Sequence, residues 1–307
     1  MALDLPSTFD DARPLLTARA VGGVPLGLRA QRLALDGAVS AVDATVPVAA
    51  DVRIGAILDL PQADVPVTDG MLRDWGVSLE DVLSTAVAGR AAVAPTVQQI
   101  DGAHLVSSMP FAAYALREPD AVAGLVAGRT PVILVPVVGA VVVAAAEDPA
   151  GLAVAARIAE RVLQSDEHAV SVTPLVRSGS SWVPFTWPAE AAEEAAALRR
   201  RWDVQQYAVQ RPLLQAHYDR TEQQYLVAEA ALAGTPEGGT TTYTTLTEGV
   251  QTVLPWVEQV VLVRETGAAT RVPMPRLAEA SGILVRLPDL DPPLLYAARF
   301  PVELASG

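Results

Sequence analysis

The sequence predicts an α+β protein, a mixed α/β fold in two packed parts. A mixed-sheet domain with helices is expected over residues 1–187, and a helical hairpin with a small β-sheet over residues 188–307. In the first part, short Val-rich runs punctuated by Pro and Gly alternate with capped amphipathic segments, the pattern of strands and helices layered on one another. The second part opens on a long Ala-, Glu- and Arg-rich helical stretch and closes on strand-like segments. At 307 residues the chain is long enough for two domains, each with its own core.

The opening residues, including "ARAVGGVPLGLRAQRLALDGAVSAV", show no sustained period and predict no element. From Asp51, "DVRIGAILDLP" predicts a strand. "VTDGMLRDWG" predicts a short helix capped by Thr68 or Asp69 and stopped at Gly76. A second helix follows in "SLEDVLSTAVAGR", where Ser78 and Asp81 have capping-box spacing and Leu79, Val82, Leu83 and Ala86 share one face. "AHLVSSM" is strand-like, and "PDAVAGLVAG" predicts a short helix from Asp120 to about Gly128.

The next stretch, "TPVILVPVVGAVVVAAAEDP", is the candidate membrane span. A spanning helix needs about twenty apolar residues, whereas this run is shorter, rich in β-branched Val and broken by Pro136 and Gly139. It therefore predicts two buried strands, Pro131–Val135 and Ala140–Ala146, joined at "PVVG", and no membrane span. Asp148 then caps a helix with Pro149 at its first position, and Leu152, Ala155, Ala159, Val162 and Leu163 give that helix an apolar stripe. "AVSVTPLV", the turn "RSGSS" and "WVPF" predict a hairpin.

Between Asp51 and Phe185 this succession resembles the YtpQ-type family of uncharacterised bacterial proteins. The residues that carry the resemblance are Val67, Thr68, Leu72, Trp75 and Gly76 at the helix entry, Ser108, and Pro136 in the short strand. The chain departs from the family by reading "PVVGAVVV" where an Arg-Asp pair tends to follow the Pro. The resemblance implies an α/β domain and no particular activity.

In the second part, "PAEAAEEAAALRRRWDVQQYAVQ" is strongly helical, and Pro212 predicts the start or kink of a second helix running to Gly234. Its expected stripe is Leu214, Tyr218, Thr221, Tyr225, Ala228 and Leu232. "GTPEGGTTTYTT" reads as a Thr-rich loop, and Thr245 and Glu248 have capping-box spacing. "VEQVVLVRE", "ILVRLP" and "LLYAARFPVEL" predict strands, with a short helix at "RLAEASG".

Composition excludes several chemistries. All 22 basic residues are Arg, so Schiff-base catalysis, Walker-type phosphate loops and Lys-assisted nucleophiles are ruled out. With no Cys there is no thiol nucleophile, thiolate metal site or disulfide. A net charge of -13 and few aromatics argue against nucleic acid, because a phosphate backbone needs a basic stripe. "MALDLPSTFDDARPLL" carries Asp4, Asp10 and Asp11 where a secretory leader needs basic and then apolar residues, so a cytoplasmic location is expected.

Little reactive chemistry is spaced for use. His104, His168 and His217 lie in separate segments with no metal-binding spacing, and no metal or other cofactor is expected. The acidic pairs Asp10–Asp11, Glu193–Glu194 and Asp289–Asp291 have no fixed partners. Ser107–Ser108 and "RSGSSW" lack a nucleophile elbow, and "PEGGTTTYTT" lacks the basic residue that would make it an anion cradle. The feature that stands out is Arg199, Arg200 and Arg201 beside Trp202, the residue chemistry of interface hot spots, against which stands pairing with Glu190, Glu193 and Glu194 along the helix. These four residues are the expected partner-binding site. The expected function is that of a non-catalytic protein-interaction or scaffold protein, in a homo-oligomer or a larger bacterial assembly. The rival expectation is a small-ligand binder or hydrolytic enzyme with an Arg/carboxylate site in a cleft between the two parts.

Overall fold

The computed structural model describes residues 4–37, 42–88, 95–165, 168–236, 238–280, 282–288 and 290–305. The fold is α+β. Two compact units divide the chain: Met1–Leu26 with Val39–Leu198, and Gly27–Ala38 with Arg199–Gly307. The structural division thus falls past the expected 187/188 boundary and assigns an early segment, residues 27–38, to the second unit.

The first unit begins with α1 (Phe9–Ala12), capped by Thr8, and a 3-10 turn at Arg13–Leu15. Then come β1 (Leu16–Gly22) and α2 (Gly23–Leu35), the region in which the sequence showed no period. The reason is burial. Nearly all of β1 is enclosed, so its side chains do not alternate between apolar and polar. β2 (Thr45–Ala49), β3 (Val52–Leu60) and β4 (Ala63–Pro66) complete an antiparallel sheet in which β3 pairs β1 along one edge and β2 then β4 along the other.

α3 (Asp69–Trp75) is capped by Thr68, whose hydroxyl accepts from the Met71 amide, and ends at Gly76 in the left-handed region with φ +66°. α4 (Leu79–Ala88) opens on the expected capping box: the Asp81 carboxylate accepts from the Ser78 amide at 3.1 Å, and the Ser78 hydroxyl accepts from the Asp81 amide at 3.2 Å.

β5 (Thr96–Ile100), β6 (Ala103–Ser107), α5 (Met109–Arg117) and a 3-10 segment at Pro119–Val126 lead to the Val-rich pair, β7 (Pro131–Val137) and β8 (Ala140–Ala145). α6 (Pro149–Ser165) follows, with Asp148 accepting from the Gly151 amide at 2.9 Å, then the hairpin β9 (Leu175–Ser178) and β10 (Ser181–Pro184). These strands form one antiparallel sheet in the order β10-β9-β7-β8-β6-β5. β7 and β8 are buried along their whole length at its centre, and among the described residues no helix is long and apolar enough to cross a membrane. A single apolar core joins Leu16, Ile54 and Leu58 of the first sheet to Leu83 of α4 and to Ile133 and Val143 of the second sheet.

The expected helical hairpin is one helix, α7 (Ala192–Arg220), which carries Pro212 inside it. It stops after Arg220 without glycine: Glu222 takes the left-handed conformation, and the Gln223 amide reaches back to the Tyr218 carbonyl at 2.9 Å. The chain beyond is extended because its backbone finds partners outside a helix. The Gln215 amide nitrogen donates to the Tyr225 carbonyl and its oxygen accepts from the Val227 amide, while Arg211 donates to the Val227 carbonyl.

β11 (Leu226–Val227), β12 (Ala231–Gly234), β13 (Thr240–Thr247), β14 (Thr252–Pro255), β15 (Gln259–Val263), β16 (Ala269–Pro273), α8 (Met274–Glu279), β17 (Leu284–Arg286) and β18 (Leu294–Ala297) complete the second unit. They make two four-stranded sheets, β11-β14-β18-β17 and β12-β13-β15-β16. The Thr-rich segment expected to be a loop is largely strand β13, in which Thr242, Thr244 and Leu246 alternate inward, as β-branched residues favour. Thr245, expected to cap a helix, lies mid-strand opposite Val261, and Glu248 instead accepts from the Glu265 amide at 3.1 Å.

Candidate functional site

α7 carries the four residues expected to bind a partner, and three of them are accounted for within the chain. Trp202 is 3% exposed, so its ring has no surface left to present. Arg200 Nε donates to both carboxylate oxygens of Glu258, at 2.9 and 3.1 Å, and Arg199 pairs with Asp203 one turn along the helix at 3.0 Å. Arg201 is half-buried. The anticipated pairing with the preceding glutamates is replaced in part by longer-range contacts, since Glu194 takes Arg157 at 2.6 Å.

Glu258 forms a four-point clamp. Besides Arg200, its carboxylate accepts from the Thr241 hydroxyl at 2.8 Å and the Thr242 amide at 3.0 Å, and the Glu258 amide donates to the Thr242 hydroxyl at 2.9 Å. Burial works to raise its pKa, but the hydrogen bonds from Thr242, Arg200 and Thr241 together outweigh it and hold the carboxyl below the ordinary value. Asp203 moves the other way, raised chiefly by burial. Burial also pushes the Tyr207 phenol up to about 12, and its hydroxyl donates to the Pro293 carbonyl while accepting from the Trp256 amide. Each of these groups has its partner inside the unit, the arrangement of a structural tie.

The other candidate side chains do not converge. His104 lies on β6, His168 precedes the buried Val170, and His217 is near the end of α7. Among the described residues no group of three or more His, Asp or Glu could hold a metal ion. Ser107 ends β6 and Ser108 precedes α5, while Asp289 of the last acidic pair lies outside the described residues.

What the second unit does contain is an open groove of about 580 Å³. One wall is α2, where Gly27, Ala30, Gln31 and Ala34 recur at helical spacing and leave the backbone thinly covered. The facing wall is Leu214, His217 and Tyr218 of α7, and Leu287, Pro288 and Leu290 close it. The Tyr218 ring meets His217 at 5.7 Å and Tyr225 at 5.2 Å, edge to face, and Tyr225 meets Tyr296 in the same way at 5.4 Å. Burial raises the Tyr218 phenol above its ordinary pKa. The α2 end of the groove is fixed by Arg220, which donates to the Leu35 carbonyl at 2.9 Å and pairs with Asp36 at 3.3 Å.

Between α2 and α7 runs a polar pair that sequence reading missed. Gln210 is fully buried, and its amide nitrogen donates to the Pro292 carbonyl at 3.0 Å and to the Gln31 side-chain oxygen at 3.4 Å. The Gln31 nitrogen and the Gln210 oxygen are buried without a hydrogen-bond partner. The signal was a faint one: Leu198, Trp202, Gln206, Gln210 and Leu214 fall every fourth residue on the buried side of α7, so two glutamines occupy positions that apolar periodicity does not flag. Comparison with family models, with curated proteins and with solved structures gives no match.

Proposed function

We propose that the protein acts by binding and not by catalysis, and that its binding site is the groove between α2 and α7. The observation that carries this reading is the groove itself: at about 580 Å³ it is the size of a small-molecule site, and its walls are apolar with a few polar groups at the edge. The carboxylates and arginines of the unit support it from the other side, because Arg200, Glu258, Arg199 and Asp203 satisfy one another instead of converging on a concavity.

The test is a fluorescence titration with the neutral apolar probe N-phenyl-1-naphthylamine. Saturable binding of one probe per chain, abolished by Ala34→Trp, which fills the groove from its α2 wall, is expected. Binding unaffected by Ala34→Trp would place the probe elsewhere and sink the reading.

A protein partner is the second reading, supported by Trp256, which is 47% exposed and lies two residues before the Glu258 clamp. An exposed Trp two residues before the carboxylate that holds Arg200 has hot-spot chemistry, at Trp256 in place of Trp202. Trp256→Ala is expected to lower the native mass measured by light scattering, and an unchanged mass counts against self-association there. Kinship of the first unit with the YtpQ-type family is proposed on the Thr68-capped helix with Trp75 and Gly76 alone.

A further inference from the structure

We infer that the groove takes an uncharged small molecule with a flat apolar body and a hydrogen-bond acceptor at one end, which is received by the Gln31 amide nitrogen. This rests on the reading of the groove as a binding site and adds the chemistry of its occupant. Three features select it. Gly27, Ala30 and Ala34 give one wall without branching side chains, against which a flat body can lie, and the Tyr218 ring and Leu214 stand on the facing wall.

Charge is the second feature. Among the described residues lining the groove there is no Asp, Glu or Arg. The charged groups at the α2 end, Arg220 and Asp36, neutralise each other at 3.3 Å. A carboxylate or ammonium entering would exchange water for walls made mostly of glycine, alanine and leucine, in which His217 is the one ionisable base among the described lining residues, and that exchange is unfavourable.

The third feature gives the acceptor. Gln31 lines the groove, and its oxygen is engaged by Gln210, itself anchored on the Pro292 carbonyl. That engagement leaves the Gln31 nitrogen as the donor without a partner. An unmet buried donor is a standing penalty, and a carbonyl, ether or hydroxyl oxygen reaching it, with the Gln31 oxygen still held by Gln210, removes that penalty.

Three naphthalene probes separate the outcomes. Prodan is neutral and carries a ketone, 2-(dimethylamino)naphthalene lacks the ketone, and 1-anilinonaphthalene-8-sulfonate is anionic. The 307-residue chain is expected to bind Prodan about three- to tenfold more tightly than the ketone-free analogue, the worth of one hydrogen bond, and the sulfonate most weakly. Gln31→Leu and Gln31→Glu, both lacking the amide donor, are expected to remove the ketone's advantage while ketone-free binding persists. Circular dichroism confirms that each variant is folded, and the ketone infrared band of Prodan bound to wild type, shifted to lower frequency, reports the bond without any variant. Equal binding of the two neutral probes, an unshifted ketone band, or preference for the sulfonate overturns the inference and leaves the groove a generic apolar site. Failure of both neutral probes to bind overturns the reading of the groove itself.

Discussion

Gly22 sits where the end of β1 passes the buried segment around Val170. A Cβ built at Gly22 would lie 1.7 Å from the Val170 carbonyl oxygen and 2.7 Å from its carbon, both backbone atoms that cannot rotate away. An ordinary carbon–oxygen contact is about 3.3 Å, so Gly22→Ala forces the two segments apart by roughly 1.6 Å. Hydrogen bonds on both sides oppose that movement: the Gly23 amide to the Asp51 carbonyl at 2.7 Å, the Val170 amide to Pro136 at 2.9 Å, and the Ser171 hydroxyl to the Asp51 carboxylate at 2.7 Å. Overpacking strain of about 1–3 kcal/mol, added to about 1 kcal/mol for each of the three bonds stretched past use, gives a loss of roughly 4–6 kcal/mol. Gly23→Ala is the internal control. Its Cβ would meet nothing nearer than the Asp51 carbonyl at 3.4 Å, an ordinary contact, and the change is expected to stay within about 1 kcal/mol. Urea denaturation followed by circular dichroism measures both. If Gly22→Ala unfolds within 1 kcal/mol of wild type, the close approach read at this position is wrong.

Three further outcomes follow from the packing and electrostatics. Trp202→Ala is expected to cost about 3–5 kcal/mol in a urea titration, the price of removing a buried indole, and a small effect would show that the ring is accessible after all. Glu258 and Asp203 should respond to pH with opposite signs. Glu258, held below its ordinary 4.5, contributes stability that is present above that value and lost as the pH falls through its lower folded value, so the cost of Glu258→Gln should shrink in acid. Asp203, raised above its ordinary 3.8, binds its proton more tightly when folded and is increasingly unfavourable as the pH rises through its folded value. Asp203→Asn should therefore gain on wild type between acid and neutral pH, and parallel pH profiles for the two variants would contradict both assignments. Thr68→Ala is expected to lose about 1 kcal/mol with the cap of α3, measured by thermal unfolding.

How legible the fold was depended on whether a local rule decided it. Thr68, Gly76, the Ser78–Asp81 box and Asp148 before Pro149 each mark a helix end through chemistry contained within a few residues, and the structure has its helix ends there. Pro136 and Gly139 likewise break the Val-rich run into β7 and β8. Where the deciding partner is remote, the sequence is silent or misleading. Residues 225–234 carry a helical stripe, yet Gln215, Arg211 and the neighbouring strands supply the backbone partners that make them extended. Trp202 was legible as a hot spot by type, but only its burial shows that it faces inward. The groove is the extreme case, since its walls come from residues 27–35, 214–218 and 287–290, none of which carries a motif.

The two units take turns along the polypeptide: residues 27–38 belong with 199–307, and 39–198 intervene. Synthesis therefore makes Gln31 and the rest of that wall early and their partners Gln210 and Leu214 late. A nascent chain must carry the exposed apolar face of residues 27–35 through the whole manufacture of the first unit before anything exists to cover it. Closing so long a separation is slow and leaves that face open to other chains in the interval. The first unit can mature on the ribosome ahead of the second, whereas the second is completed only once residues 199–307 have followed, and a chain cut short before α7 would display one wall of the groove and nothing to face it.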